Sequence, residues 1–119
     1  MSRKIFYLPN CGTCKRILSE LKMESDDLLR DIKEEPIKPE ELDEMAKLAG
    51  SYEALFSRIA MKYRSMGLNK LSLAEKDYRK FILEEYTFLK RPTVIVGDKI
   101  FIGSSKNNIG ALIATYNKR

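Results

Sequence analysis

At 119 residues the chain is long enough to bury a hydrophobic core without disulfide or metal staples, and a single domain spanning 1–119 is expected. With 44% hydrophobic and 33% charged residues it has the balance of a globular protein, and no apolar run nears the ~20 residues of a membrane span. Its net charge of +5 is uneven, with 9 Lys+Arg against 11 Asp+Glu in residues 1–50 and 13 against 6 in residues 51–119, so the basic second part suits an anionic substrate or an acidic protein partner.

The first segment, Lys4–Leu8, is apolar on both faces, as a central strand of a covered sheet would be. It begins too early to leave room for a signal peptide, so a cytoplasmic location without membrane contact is expected. Neither an RNA-binding signature nor a zinc finger follows, so direct nucleic-acid binding is not expected.

Cys11-Gly12-Thr13-Cys14 comes directly after that strand and opens a helix predicted over Gly12–Met23, with its apolar stripe at Cys14, Ile17, Leu18 and Leu21. A thiol at such a junction meets unpaired backbone N–H groups and the positive end of the helix dipole. Lys15 and Arg16 add to that field, and together these effects lower a Cys pKa by about one unit or more from about 8.5. Cys11 is therefore the candidate nucleophile. Cys14, one turn on, is within reach for a disulfide, and it equally fits a small buried residue on the inner face of the helix. Zinc prefers four ligands, and with two Cys and no His the chain is not expected to hold a metal. In the cytoplasm a CxxC pair points to catalysis or redox sensing over a permanent bridge.

Leu28–Ile32 reads as a second strand, which makes strand, helix and strand a βαβ unit with parallel strands and a right-handed crossover. The next block is helical. Pro39 sits at a first helical position, Glu40 and Glu41 lie in the first turn, Leu42, Met45, Ala46 and Ala49 share one face, and Gly50 is the stop. Tyr52–Phe56 and Ala60–Met66 read as two shorter helices, the second ended by Gly67. Ser72-Leu73-Ala74-Glu75 has the pattern of a capping box, opening a helix that carries Ala74, Tyr78, Phe81 and Ile82 inward to about Glu85. After Arg91-Pro92, Thr93–Val96 and Lys99–Ile102 flank Gly97-Asp98 as a tight hairpin. Ser104 or Ser105 caps a last helix with Ile109, Leu112, Ile113 and Tyr116 in one stripe. The order βαβ, helices, ββα implies an α/β, thioredoxin-like fold on a mixed four-stranded sheet, with an inserted helical lobe at about 36–88.

Four pieces in this order resemble the arsenate-reductase-like (ArsC/Spx) thioredoxin folds: Cys11-Gly12-Thr13-Cys14-Lys15; Leu55-Phe56-Ser57-Arg58 with Lys62-Tyr63-Arg64 and Gly67-Leu68; Leu89-Lys90-Arg91-Pro92; and Ile102-Gly103. That family includes glutaredoxin-coupled arsenate reductases and Spx-type transcriptional regulators. The resemblance implies that Cys11 attacks an arsenic or sulfur centre while Arg58 and Arg91 bind an oxyanion or a glutathione carboxylate through charge-assisted hydrogen bonds. Thr13, Lys15 and the amides near Cys11 would complete the anion site, and Pro92 would be the family's cis-proline. It further implies no bound cofactor, with glutathione, glutaredoxin or thioredoxin as electron donor and redox partner. Where the glutaredoxin-coupled enzymes usually have Ser and a third arginine, this chain has Cys14 and Gly103-Ser104. CxxC and Ile102-Gly103 are similar to the Spx branch, which implies the alternative of a Cys11–Cys14 redox switch acting on the RNA polymerase α-subunit.

Overall fold

The computed structural model describes residues 3–9 and 11–118. In chain order the elements are β1 (Arg3–Tyr7), α1 (Gly12–Ser19), β2 (Leu28–Asp31), α2 (Pro39–Ala49), α3 (Met61–Ser65), α4 (Glu75–Glu84), β3 (Thr93–Val96), β4 (Lys99–Ile102) and α5 (Lys106–Tyr116). Single 3-10 turns lie at Glu53–Leu55, Leu68–Lys70 and Tyr86–Phe88. The chain divides into two compact units, Met1–Glu35 with Arg91–Arg119, and Pro36–Lys90. No helix among the described residues is long and apolar enough to cross a membrane.

The first unit is built on a mixed sheet of order β2-β1-β3-β4, with β1 parallel to β2 and antiparallel to β3, and β3 antiparallel to β4. This is the thioredoxin-like arrangement that the order of elements predicts. β1 is central, which explains why Ile5 and Phe6, on opposite faces, are both buried. Its register sets Ile5 opposite Val94 and Val94 opposite Phe101, so these three share a face. Ile17 and Leu21 from α1 and Leu112 and Tyr116 from α5 complete the core there. Each such side chain contributes about 1.5–3 kcal/mol by leaving water. Gly97, at φ +63°, allows the two-residue turn that returns the chain from β3 into β4.

The predicted first helix is four residues too long, since α1 ends at Ser19. Beyond it Asn117 offers the backbone other partners: its side chain accepts from the Lys22 N–H at 2.7 Å and donates to the Glu20 carbonyl at 2.9 Å. Those backbone groups are satisfied by the end of α5 and need no further helical turn.

Arg3 is a buried cation, 3% exposed, on the outermost residue of β1. Its guanidinium pairs with Asp27 through both Nε, at 2.9 Å, and Nη2, and it also donates to the carbonyls of Tyr116 at 2.5 Å and Lys22 at 3.1 Å. It lies 3.7 Å from the Tyr116 ring centroid, and the Tyr116 hydroxyl donates to Asp27 at 2.7 Å. Burial, then the hydrogen bond to Asp27, push the Tyr116 pKa up, so the phenol stays a donor. One network thus ties β1, the turn before β2 and the end of α5.

In the second unit α2 has the predicted bounds. The Glu41 side chain accepts from the Lys38 N–H at 2.9 Å, Leu42, Met45 and Ala46 are buried, and Gly50 closes the helix at φ +95°. Phe56 is the centre of the packing, with ring centroids 5.0 Å from Phe88, 4.9 Å from Tyr78 and 5.9 Å from Tyr63. A short antiparallel pairing fixes it: Ser57 N–H donates to Phe88 at 2.7 Å, Lys90 N–H to Leu55 at 2.9 Å, and Phe56 bridges to Leu89. The helices predicted at Tyr52–Phe56 and Ala60–Met66 reduce to the 3-10 turn Glu53–Leu55 and the five-residue α3, with Gly67 at φ +72° ending the latter. α4 begins after Ala74 because Asp77 accepts the Ala74 N–H at 2.8 Å, so the predicted Ser72 cap is displaced by two residues and Ala74 is exposed.

Candidate active site

The junction of β1 and α1 is formed by backbone geometry. Cys11 holds extended dihedrals of φ −92° and ψ 112° as the N-cap of α1, its N–H bonded to the Leu8 carbonyl at 3.2 Å and its carbonyl taking the Lys15 N–H at 3.0 Å. The first-turn N–H groups of such a helix have no carbonyl behind them. Those of Thr13 and Cys14 help to hold the Cys11 pKa down. Asn10 lies outside the described residues.

Both cysteines are free thiols, Cys11 half-buried and Cys14 fully buried. Partial burial pushes the Cys11 pKa up, but hydrogen bonds from the Cys14 N–H, the Cys14 thiol and the Thr13 N–H, together with the Arg91 charge, outweigh it and hold the pKa below the ordinary thiol value. Burial dominates on Cys14. Its pKa is pushed up to about 11 by desolvation and by donation to Cys11, against a smaller opposing effect from the Leu8 backbone and Arg91. Two thiols one turn apart are thereby separated into a thiolate former and a proton holder.

The structure brings Cys11, Thr13, Cys14 and Arg91 together in the first unit. The Arg91–Pro92 bond is cis, Pro92 is buried, and its carbonyl accepts the Gly103 N–H at 2.9 Å. Lys15 and Arg16 are exposed on α1, and the cation among the main influences on Cys11 is Arg91. Arg58 belongs to the second unit, where it donates to Glu53 at 2.6 Å and to the Tyr78 hydroxyl at 3.0 Å.

Sequence reasoning did not single out the support behind Pro92. Gly103 stands at φ +84°, and the Asn108 side chain donates to its carbonyl at 2.8 Å, while Ser105 caps α5 by accepting the Asn108 N–H at 3.3 Å. A glycine immediately after a strand and before a Ser-rich helix start was the available signal. A Cβ at Gly103 would meet nothing within 4 Å, so Gly103→Ala carries only the left-handed backbone penalty. Chemical denaturation is expected to show a loss of about 1–2 kcal/mol.

The sequence profile of the ArsC family matches residues 6–112. The uncharacterized protein YusI of Bacillus subtilis is 26% identical over 107 residues, which cover 87% of this chain and 91% of YusI. Among solved structures, the arsenate reductase from Vibrio cholerae superposes with a TM-score of 0.77 at 18% identity, covering 94% of this chain and 96% of its own. SACOL0876 from Staphylococcus aureus gives 0.71 at 26% identity, covering 92% and 96%.

Proposed function

We propose that this chain, which belongs to the ArsC family, is a thiol-dependent reductase whose nucleophile is Cys11 and whose resolving thiol is Cys14. The observation that carries the reading is the opposed setting of the two sulfurs, Cys11 half-buried at the N-cap of α1 with its pKa lowered and Cys14 fully buried with its pKa raised to about 11. The thiolate is the attacking species. On a small disulfide, the Cys11 thiolate bonds to one sulfur and expels the other as a thiolate, leaving a mixed disulfide on the enzyme. Cys14 then gives up its proton and attacks Cys11 Sγ, expelling the second substrate thiolate and closing a Cys11–Cys14 disulfide. A glutathione, glutaredoxin or thioredoxin donor restores both thiols. Arg91 supplies positive charge for the anionic part of the substrate, and the Thr13 and Cys14 amides stabilise the sulfur that leaves and returns.

Disulfide is preferred here over arsenate as the substrate. Of three arginines that cradle arsenate in the glutaredoxin-coupled enzymes, two have counterparts in this sequence, Arg58 and Arg91. One charge-assisted contact fewer costs about 1.5–3 kcal/mol, or roughly ten- to a hundredfold in binding. The purified protein is expected to reduce a small disulfide measurably, with a rate that falls in Arg91→Ala, and to reduce arsenate slowly or undetectably with glutathione and glutaredoxin. Arsenate turnover matching the disulfide rate would overturn this preference.

The placement of Cys14 in the first turn of α1, with Cys11 as its N-cap, also favours a second reading, in which closure of the Cys11–Cys14 disulfide is a redox switch that alters binding to the RNA polymerase α-subunit. Oxidised and reduced protein that differ in binding this subunit, with no turnover of either substrate, would replace the enzyme reading.

A further inference from the structure

We propose that the cavity between α1 and the start of α5 is an anion subsite that takes a carboxylate of a low-molecular-weight disulfide whose sulfur is attacked by Cys11. This role rests on the reductase reading above and names the class of disulfide that it accepts.

The cavity has a volume of about 450 Å³, within the ~300–1,000 Å³ of small-molecule sites, and is lined by Arg16, Glu20, Ser104, Lys106 and Ile109. All five belong to the unit that holds the cysteines. Among the described residues no hydrogen bond or ion pair engages the Arg16 guanidinium or the Lys106 ammonium, whereas Arg3, Arg58, Lys62 and Arg79 are each paired with a carboxylate. Two uncommitted cations against one carboxylate select an anion, and the hydroxyl of the exposed Ser104 is a further donor beside them.

Both walls of the cavity lead to Cys11. Gly12, Arg16 and Glu20 recur every four residues along one face of α1, and Gly12 directly follows Cys11. A Cβ at Gly12 would meet nothing within 4 Å, so no neighbouring group crowds that face at its Cys11 end. At a rise of about 1.5 Å per residue, Arg16 stands about 7–8 Å along the helix from Cys11, and Glu20 lies about 6 Å farther on, at the end away from the thiol. The opposite wall begins after Gly103, whose N–H donates to the Pro92 carbonyl at 2.9 Å, and continues through Ser104 to Lys106. Arg91 and Pro92 precede β3, which runs antiparallel to β1 with Thr93 opposite Phe6, so they lie beside the chain that leads from Tyr7 to Cys11.

That span sets the class of ligand. A disulfide with carboxylates several bonds from its sulfurs, as oxidised glutathione has, places sulfur at Cys11 and an anion between Arg16 and Lys106, whereas an uncharged one such as 2-hydroxyethyl disulfide uses Cys11 alone. With oxidised glutathione the Cys11 thiolate bonds to one sulfur and expels the other as glutathione thiolate. Cys14, giving up its proton, then bonds to Cys11 Sγ and expels the second. Two electrons pass from the protein to the disulfide, and the anion subsite acts on the first of these steps.

The test mixes the full reduced chain separately with oxidised glutathione and with 2-hydroxyethyl disulfide, and follows loss of the protein thiols by acid quenching and mass spectrometry. The quantity read is the ratio of the two second-order rate constants, which cancels any change in the reactivity of Cys11 itself. Lys106→Ala and Arg16→Ala are each expected to lower this ratio about fivefold, a smaller effect than that of a buried charge-assisted contact because both cations are exposed, and Lys106→Glu should lower it further. Lys106→Arg keeps the charge and should hold the ratio within about twofold of wild type, while added salt should lower the wild-type ratio. A ratio unaltered in both alanine variants overturns the subsite, including the case in which both rate constants fall together and the two cations act on Cys11 alone. A wild-type protein whose thiols react with neither disulfide would remove the reductase reading and this role with it.

Discussion

Cys11→Ser is expected to lower disulfide reduction at least ~10³-fold, because it removes the one cysteine sulfur that is both accessible and lowered in pKa. Cys14 does not substitute for it. Its side chain is fully buried, and with a pKa of about 11 only about one molecule in 10⁴ carries the Cys14 thiolate at pH 7. Replacing Cys14 by serine has a different signature: the first thiolate attack persists, and the protein accumulates as a mixed disulfide on Cys11 that an external thiol must resolve. Steady-state rates with mass spectrometry of the quenched enzyme distinguish the two variants. Residual activity in Cys11→Ser within tenfold of wild type would show that the chemistry lies elsewhere.

Arg3→Ala is expected to destabilise the fold by about 3–5 kcal/mol, a large part of the ~5–15 kcal/mol that holds a typical domain together. The effect arises mainly from what is left behind. Asp27, whose side chain is 2% exposed, would lose the guanidinium that pairs with it, and the carbonyls of Lys22 and Tyr116 would lose a donor. Arg3→Lys retains the charge but not the planar fork that reaches Asp27 through two nitrogens, and an intermediate loss is expected. Urea denaturation followed by far-UV circular dichroism measures both. A loss under about 1 kcal/mol for Arg3→Ala would mean that the pair contributes no more than an exposed ion pair.

Arg3 also marks the limit of what the sequence discloses. A basic residue in the first strand has no local feature separating it from a solvated charge, since its partners Asp27 and Tyr116 lie 24 and 113 positions along the chain and meet it only in the fold. Local patterns read well by contrast. The stripe Cys14, Ile17 and Leu21 is buried, the Gly97-Asp98 hairpin is where its turn residues put it, and Ser105 caps α5. The local pattern misleads where another partner takes the backbone group it would have used. Ser72 with Glu75 matched a helix start, yet Asp77 reaches the Ala74 N–H and sets the boundary. The helix predicted through Met23 stops at Ser19 because Asn117, nearly a hundred residues away, bonds the backbone that a longer helix would have used. In the same way Phe56 and Leu89 pair across the second unit with no sequence signal beyond their hydrophobicity. At the candidate site the strand-to-helix junction made Cys11 legible, but the source of its positive field was not. Lys15 and Arg16 are its neighbours in sequence, and Arg91, brought in by the sheet, is the cation that acts on it.

The shifts have opposite signs for stability. Cys11 has a folded pKa below its unfolded value, so its ionisation favours the native state at pH above the unfolded value, and that contribution is lost as pH falls through the folded pKa. Cys14 is the reverse: its contribution is complete below the unfolded thiol pKa of about 8.5 and is lost as pH rises through about 11. The reduced protein thus gains from holding one thiolate and one thiol at once.

Alkylation of the reduced protein by iodoacetamide from pH 5 to pH 10, with each cysteine followed separately by peptide mass spectrometry, tests the assignment of Cys11 most directly. Cys11 is expected to react with a midpoint below the ordinary thiol pKa and to account for nearly all modification at pH 7, with Cys14 remaining protected throughout, and Arg91→Ala should move the Cys11 midpoint upward. Equal rates for the two cysteines at pH 7, or a Cys11 midpoint at or above the ordinary thiol value, would contradict it.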